Sequence, residues 1–346
     1  MVGGSIMGKL PAELLRKYVF SRTGAARADV LVGPREGVDV SLLLGDEDLV
    51  IVAHSDPIVG AVKRIGWLAV NIACNDIATS GVEPRWLLPI ILLPEKWTEE
   101  MLDEITADID SAARELGISV VGGHTGYAAG ISRPIVTATV IGVGKKDEVT
   151  ISANAKAGDS IYLTKGAGIE GTAILATDFR DVLTTKGIGE DVIKKAEKFM
   201  NEISVVKEAL ALARASVVHA MHDATRGGVA EALIELAYAS GKLIEVWEGE
   251  IPLREETKIF STALGFDPLW MISSGTLIFT TPEDKRDEAE RILKKLGINY
   301  SRIGIVKTGK PEVILHRRTG IDEEITEMQP EKDELARLWE LYPRIE

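Results

Sequence analysis

The chain has 346 residues, of which 45% are hydrophobic and 27% charged, with a net charge of −13; this is a globular composition with core enough for two domains, and it excludes disorder. The acidic balance argues against nucleic acid or an anionic membrane as partner. A lone cysteine, Cys74, excludes an internal disulfide, no apolar run is long enough to span a bilayer, and Met1–Leu10 is too short and glycine-rich for a signal peptide, so a cytoplasmic protein is expected.

Pro11–Phe20 reads as a short helix or arm, and Ser21–Gly37 as a turn-rich connection. Val38–Leu44 and Asp48–Ala53 read as strands around the turn Gly45-Asp46-Glu47. Residues 1–45 are therefore taken as an arm with the first strand, ahead of a domain over 46–150. The second strand ends in His54-Ser55-Asp56-Pro57. Asp56 then sits either at the carboxyl end of a strand, where open α/β folds hold ligands, or in a turn bonded to its own backbone.

Gly66–Pro84 (GWLAVNIACNDIATSGVEP) is apolar nearly all round, the pattern of a buried helix. Yet Asn71, Asn75 and Thr79 recur at i, i+4, i+8, with Asp76 beside them. Either this is a short wet face, or a packed helix offers Asn75 and Asp76 to a ligand or metal. Cys74, inside the apolar run, reads as a small core residue. Trp86–Leu93 follows as a strand. Thr98 caps a helix to Leu116, with Glu99 and Glu100 in its first turn and Gly117 at its end. Ile118–Val121 reads as a short buried strand, Gly122–Gly126 as a glycine loop, and Ile135–Val143 as a strand. This order predicts an α+β (α/β) layer with helices on one face of the sheet.

The polar stretch Lys145–Ala157 predicts a boundary, with a second domain over 151–346. Strands are expected at Ser160–Thr164, Val217–Met221, Ile244–Trp247, Gly275–Thr281, Ile303–Val306 and Glu312–His316. Helices are expected up to Phe179 and over Asp191–Phe199, Val205–Ala215, Val229–Ser240, Pro282–Leu296 and Glu331–Glu340.

Gly166, Gly168 and Gly171 match G-x-G-x-x-G between a strand and a helix. The βαβ unit does not close, however, because no second strand with a terminal acid follows, which disfavours a dinucleotide oxidoreductase. A phosphate site at the helix start or a structural tight turn remain. Gly122-Gly123 could let backbone N–H groups approach a ligand, and Gly227-Gly228 could do the same, with Thr225 and Arg226 as polar hands. Arg226 is a candidate for gripping phosphate or carboxylate, or else a surface arginine at a helix start. His219 and His222 point to opposite faces of a strand and lack a third histidine, so zinc is disfavoured.

Asp56, Gly122–Gly126 and Asp223–Gly228 all fall at strand ends, and scattered aspartates suit Mg²⁺. Ser55-Asp56, Asn75-Asp76 with Ser80–Pro84, Gly122-Gly123-His124-Thr125 and above all Val218–Gly228 together resemble the AIR-synthase-like (PurM-like) ATP-binding superfamily over nearly the whole chain. Val218–Gly228, Gly265–Leu269 and the terminal Pro343-Arg344-Ile345 are most similar to its HypE branch.

The resemblance implies a two-domain fold and a homodimer whose N-terminal sheets pair. It implies ATP between the domains, Mg²⁺ on Asp39, Asp56, Asp76 and Asp223, and transfer of the γ-phosphoryl to a carbonyl or amide oxygen of a small-molecule or protein-borne substrate. Asp76, Asp223 and Arg226 would be the catalytic set, and Asn75 would orient phosphate or water. Gly122, Gly123, His124, Thr125, Gly166, Gly168, Thr225, Gly227 and Gly228 would approach the nucleotide. In HypE the oxygen belongs to a carbamoyl group on a C-terminal cysteine, and the product supplies cyanide to nickel–iron hydrogenase. Here Glu346 stands in place of that cysteine, His124 replaces an acid of the Gly-Asp-Thr or Gly-Glu-Thr loop, Lys63-Arg64 replaces a usual Gly-Asp, and Val38 replaces an acid before Asp39. A non-catalytic paralogue that binds a nucleotide or a maturation partner is the alternative expectation.

Overall fold

The computed structural model describes residues 12–342, except 24 and 26; the terminal Pro343–Glu346 of the sequence reading lie outside the described residues. In chain order the first half contains α1 (Ala12–Leu15), β1 (Val30–Val32), β2 (Ser41–Leu44), β3 (Leu49–Ile58), α2 (Ile65–Thr79), β4 (Pro84–Leu93), α3 (Glu99–Leu116), β5 (Ser119–Val120), β6 (His124–Tyr127) and β7 (Ile135–Lys145). The second half contains β8 (Ser160–Thr164), α4 (Ile169–Asp178), α5 (Arg180–Thr185), α6 (Glu190–Glu197), α7 (Val206–Arg214), β9 (Ala220–Asp223), α8 (Gly228–Ser240), β10 (Leu243–Trp247), α9 (Glu255–Leu264), β11 (Leu277–Thr281), α10 (Arg286–Leu296), β12 (Tyr300–Lys307), β13 (Glu312–His316), β14 (Asp322–Ile325) and α11 (Glu334–Leu341).

The first sheet runs β1-β2-β3-β7-β4-β5, with β6 also pairing with β4. It is mixed: β5 and β6 lie parallel to β4, and its other pairs are antiparallel. The second sheet runs β14-β13-β10-β12-β8-β11-β9, with β10–β13 its one parallel pair among the described residues. Two mixed sheets with helices make an α+β fold.

Strand β7 shows why the first sheet has two unlike faces. Val136, Ala138 and Val140 alternate with half-exposed Thr137, Thr139 and Ile141, so one face is sealed by helices and the other is not. The unsealed face carries Trp86 and Ile90, each 39% exposed, with Leu49 at 41%.

Helix α2 is the joint of the molecule, and all fifteen of its residues are buried. It packs on β3, β7 and α3 on one side and on α7 and β9 on the other, which accounts for its apolar character all round. Gly66 permits the crossing with α3, since a Cβ there would lie 2.4 Å from the Ile105 carbonyl oxygen. Trp67 Nε1 donates to the Met200 carbonyl at 2.9 Å. At the chain's end, α11 is capped by Asp333 and returns to the first half through Trp339 Nε1, which donates to the Gly60 carbonyl at 3.1 Å.

Several elements differ from the sequence reading. Strand β3 runs on through His54-Ser55-Asp56-Pro57, so Asp56 lies within a strand and not in a turn. Pro57 is tolerated because β2 pairs only as far as Ala53, leaving that edge without a ladder to break. The segment read as buried strand 118–121 forms only Ser119–Val120, and both residues are exposed at the sheet edge. Half of the expected glycine loop is strand β6. Strands β1 and β14 and helix α9 were not foreseen; β1 and β14 are short, polar-flanked edge pieces without periodicity of their own.

Candidate functional site

Asp39 comes from the segment before β2, Asp76 from the last turn of α2, and Asp223 from the end of β9. One oxygen of each carboxylate lies within 4.8 Å of one from each of the others. Asp76 and Asp223 are buried, and neither oxygen of Asp223 has a hydrogen-bond partner among the described residues. Burial, followed by the nearby charge of Asp39, pushes Asp223 up to about 7. An acid held this way is costly unless something positive joins it.

Two histidines brace the trio. His54 bonds through Nδ1 to the Asp39 carbonyl, and its Nε2 lies 3.2 Å from Asp76 Oδ2. His222 is buried, with Nδ1 2.7 Å from Asp39 Oδ2 and Nε2 3.1 Å from Glu235 Oε2. Burial opposes protonation of His222, but these two carboxylates raise it well above the ordinary imidazole range. His219 faces away, 2.9 Å from Asp159, so the two histidines do not converge.

Two of the trio, Asp39 and Asp76, line a cleft of about 450 Å³ between the two halves of the molecule, and Asp223 lies behind them. Its wall includes Asp39, Asp56, Asp76, Glu170, Thr225 and Arg226. Arg226 Nη1 lies 3.6 Å from Asp333 Oδ2 and is 18% exposed, so it faces the cleft as a partly screened cation. An oxygen-rich carboxylate set with an unpartnered buried acid fits a hard divalent cation such as Mg²⁺. Asp39, Asp76 and Asp223 are the residues that would hold it, while Asp56 lines the same cleft without joining the close trio.

Other predicted site residues are not brought here. Asn75 is a correction: its amide donates to the Ile203 carbonyl at 2.9 Å and its oxygen accepts from the Val205 N–H at 2.8 Å, so it ties α2 to the second half. Gly122, Gly123, His124 and Thr125 lie in a different cavity, of about 430 Å³, with Pro89, Ile91 and Thr106. The Gly166–Gly171 turn is consumed by the fold. Gly166 N–H bonds to the Thr164 carbonyl, Ala167 N–H to the Pro252 carbonyl, Gly168 N–H to Ser273 Oγ, and Gly171 N–H to the Ile272 carbonyl, so the N–H groups of this turn are engaged within the fold. Gly227 and Gly228 do not line the cleft, and a Cβ at Gly228 would sit 2.5 Å from the carbonyls of Leu269 and Met271, so close packing is what requires glycine there. Arg64 bonds to Asp108 at 2.9 Å and lies over the Trp67 ring, outside the cleft wall.

The sequence reading missed His54, Glu170, Glu235 and Ser274 as parts of the site. The i, i+2 spacing of His54 and Asp56 on one strand face was a usable signal. A glutamate inside the apolar run Ala167–Ala176 was another.

Two mixed α+β sheets joined by a buried helix, with a carboxylate cleft at the joint, define a two-domain class of protein. Residues 38–144 match the model of the AIR synthase-related N-terminal domain, and residues 156–316 that of the corresponding C-terminal domain. The chain belongs to the AIR synthase-related family. It is 28% identical over 326 residues to a putative hydrogenase expression/formation protein of Methanocaldococcus jannaschii, covering 90% of this chain and 92% of that one. It is 30% identical over 300 residues to the carbamoyl dehydratase HypE of Azotobacter vinelandii, covering 85% and 81%. Its fold matches a crystal structure of hydrogenase maturation protein HypE in complex with ATP, at a TM-score of 0.64 and 24% identity over 91% of this chain and 92% of that one.

Proposed function

We propose that this protein is a HypE-like, Mg²⁺-dependent enzyme that uses ATP to phosphorylate a carbonyl or amide oxygen, turning it into a leaving group. The observation that carries the reading is the Asp39–Asp76–Asp223 trio, whose buried Asp223 has no partner of its own. The ATP bound to the HypE relative supports the choice of nucleotide. When bound, Mg²⁺ would neutralise charge on the triphosphate. Asp39, Asp76 and Asp223 hold the cation site, Arg226 steadies the transferring group, and Asp56 and Thr225 complete the polar wall of the cleft.

The acceptor is a carbonyl or amide oxygen not carried on a thiol of this chain. Cys74 lies inside α2 and burial raises its thiol, so it is inert as a carrier. We further propose a homodimer in which the unsealed face of the first sheet meets its counterpart.

Calorimetry with Mg²⁺ and ATP, paired with a phosphate-release assay, tests the reading. Tight Mg²⁺-dependent binding with slow release is expected, and Asp223→Asn should abolish the Mg²⁺ dependence. Binding without any release would favour the non-catalytic paralogue. No binding at all would end the ATP proposal.

A further inference from the structure

Glu170 stands in the first turn of α4 and is 2% exposed, with core residues Ile169 and Ala173 beside it. Packing alone gives no reason for a carboxylate there, since burying one without a cation is costly. It nevertheless forms part of the cleft wall, alongside Arg226 and Asp56. Its Oε2 accepts from the Ser274 N–H at 3.3 Å. The Ser274 hydroxyl, in the same wall, is buried and has no partner among the described residues. The cleft thus presents, outside the close aspartate trio, a carboxyl held by the Ser274 N–H beside the Ser274 hydroxyl.

We propose that Glu170 is the general base for the acceptor half of the reaction, and that Ser274 Oγ holds the acceptor against it. The inference rests on the phosphoryl-transfer reading above. The acceptor oxygen of a carboxamide donates its electron pair to the γ-phosphorus. The bond from that phosphorus to the bridging oxygen breaks, and its pair leaves with ADP. The proton released from the acceptor nitrogen passes to the Glu170 carboxylate, leaving an O-phosphorylated imidate, ADP and a neutral Glu170. With water as acceptor the same carboxylate takes one O–H proton, and the products are phosphate and ADP.

The electrostatics suit this role. Burial is the largest influence and raises Glu170, the Ser274 hydrogen bond and the Arg226 charge oppose it, and Asp56 adds to it, leaving the group at about 7. A base poised near neutrality can both accept and return a proton.

The test uses the full-length protein, Mg²⁺-ATP and water as the acceptor, with phosphate release followed from about pH 5 to 9. The wild-type rate should rise with pH to a plateau with a midpoint near 7. Glu170→Gln should lower the rate by roughly 10²–10⁴-fold and erase that limb, with the Kd for Mg²⁺-ATP little changed. Glu170→Asp should keep the limb at a reduced rate. Infrared titration gives a readout free of turnover: of the carboxylic acid bands that vanish near 7 in wild type, Asp223→Asn should remove one and leave the Glu170 band. If Mg²⁺-ATP binds and Glu170→Gln matches wild type in rate and profile, the assignment fails while the ATP reading stands. Release that is absent at every pH, or an infrared titration of Asp223→Asn with no carboxyl near 7, overturns the assignment as well. A protein that does not bind Mg²⁺-ATP overturns both.

Discussion

Asp223 ends β9 with both carboxylate oxygens buried and unpartnered, and it titrates near 7 against an ordinary value of 3.8. Between those values the native state holds a proton that the unfolded chain has already released. The stability from this group is therefore fully present below about pH 4 and is lost as pH rises through about 7. Glu170 acts with the same sign over a similar window. In chelator, denaturant unfolding should show wild type weakening between pH 5 and 8 and Asp223→Asn weakening less. Adding Mg²⁺ at pH 8 should restore wild type alone, because a cation binds the deprotonated carboxylate. Equal pH slopes for the two proteins would contradict this account of Asp223. Asp76 and Asp223 were legible in the sequence as acids beside polar or glycine-rich motifs. Glu170 left only the trace of a lone glutamate in an apolar run, and Ser274 left none, since neither shows what it faces until the chain folds.

At the scale of elements, α2 shows how one periodicity can serve two roles. Its Asn71, Asn75, Thr79 stripe was visible in the sequence, but the stripe's partner was not. Asn75 donates to the Ile203 carbonyl and accepts from the Val205 N–H. Asn75→Leu should leave both backbone groups buried and unpaired, costing about 2–4 kcal/mol in a chemical denaturation experiment. A loss below half a kcal/mol would show that water replaces the amide. Gly66→Ala tests the other side of the helix. The new methyl would meet the Ile105 carbonyl oxygen at 2.4 Å, and forcing α2 and α3 apart should cost roughly 1–3 kcal/mol. A variant as stable as wild type would mean that the crossing has slack.

For the whole molecule, the unsealed face of the first sheet is the feature that a monomer leaves unexplained. Leu49, Trp86 and Ile90 stand exposed on it, and large apolar side chains gathered on one sheet face suit an interaction site. Ile90→Asp should convert the proposed dimer to monomer in light scattering at micromolar concentration, with the helix content by circular dichroism unchanged. A wild-type protein that is already monomeric under those conditions would remove the pairing proposal. No described helix is long and apolar enough to cross a membrane.

Local pattern alone determined the buried central helix, the capped helix ending at Gly117 and most of the sheet strands, because periodicity and capping are properties of neighbours along the chain. Only the tertiary structure decided which polar groups meet. It turned Asn75 and the Gly166–Gly171 turn into internal fastenings, set Gly122–Thr125 in a cavity of their own, and brought Asp39, Asp76 and Asp223 together. Those outcomes depend on contacts between residues far apart in sequence, and no local pattern records them.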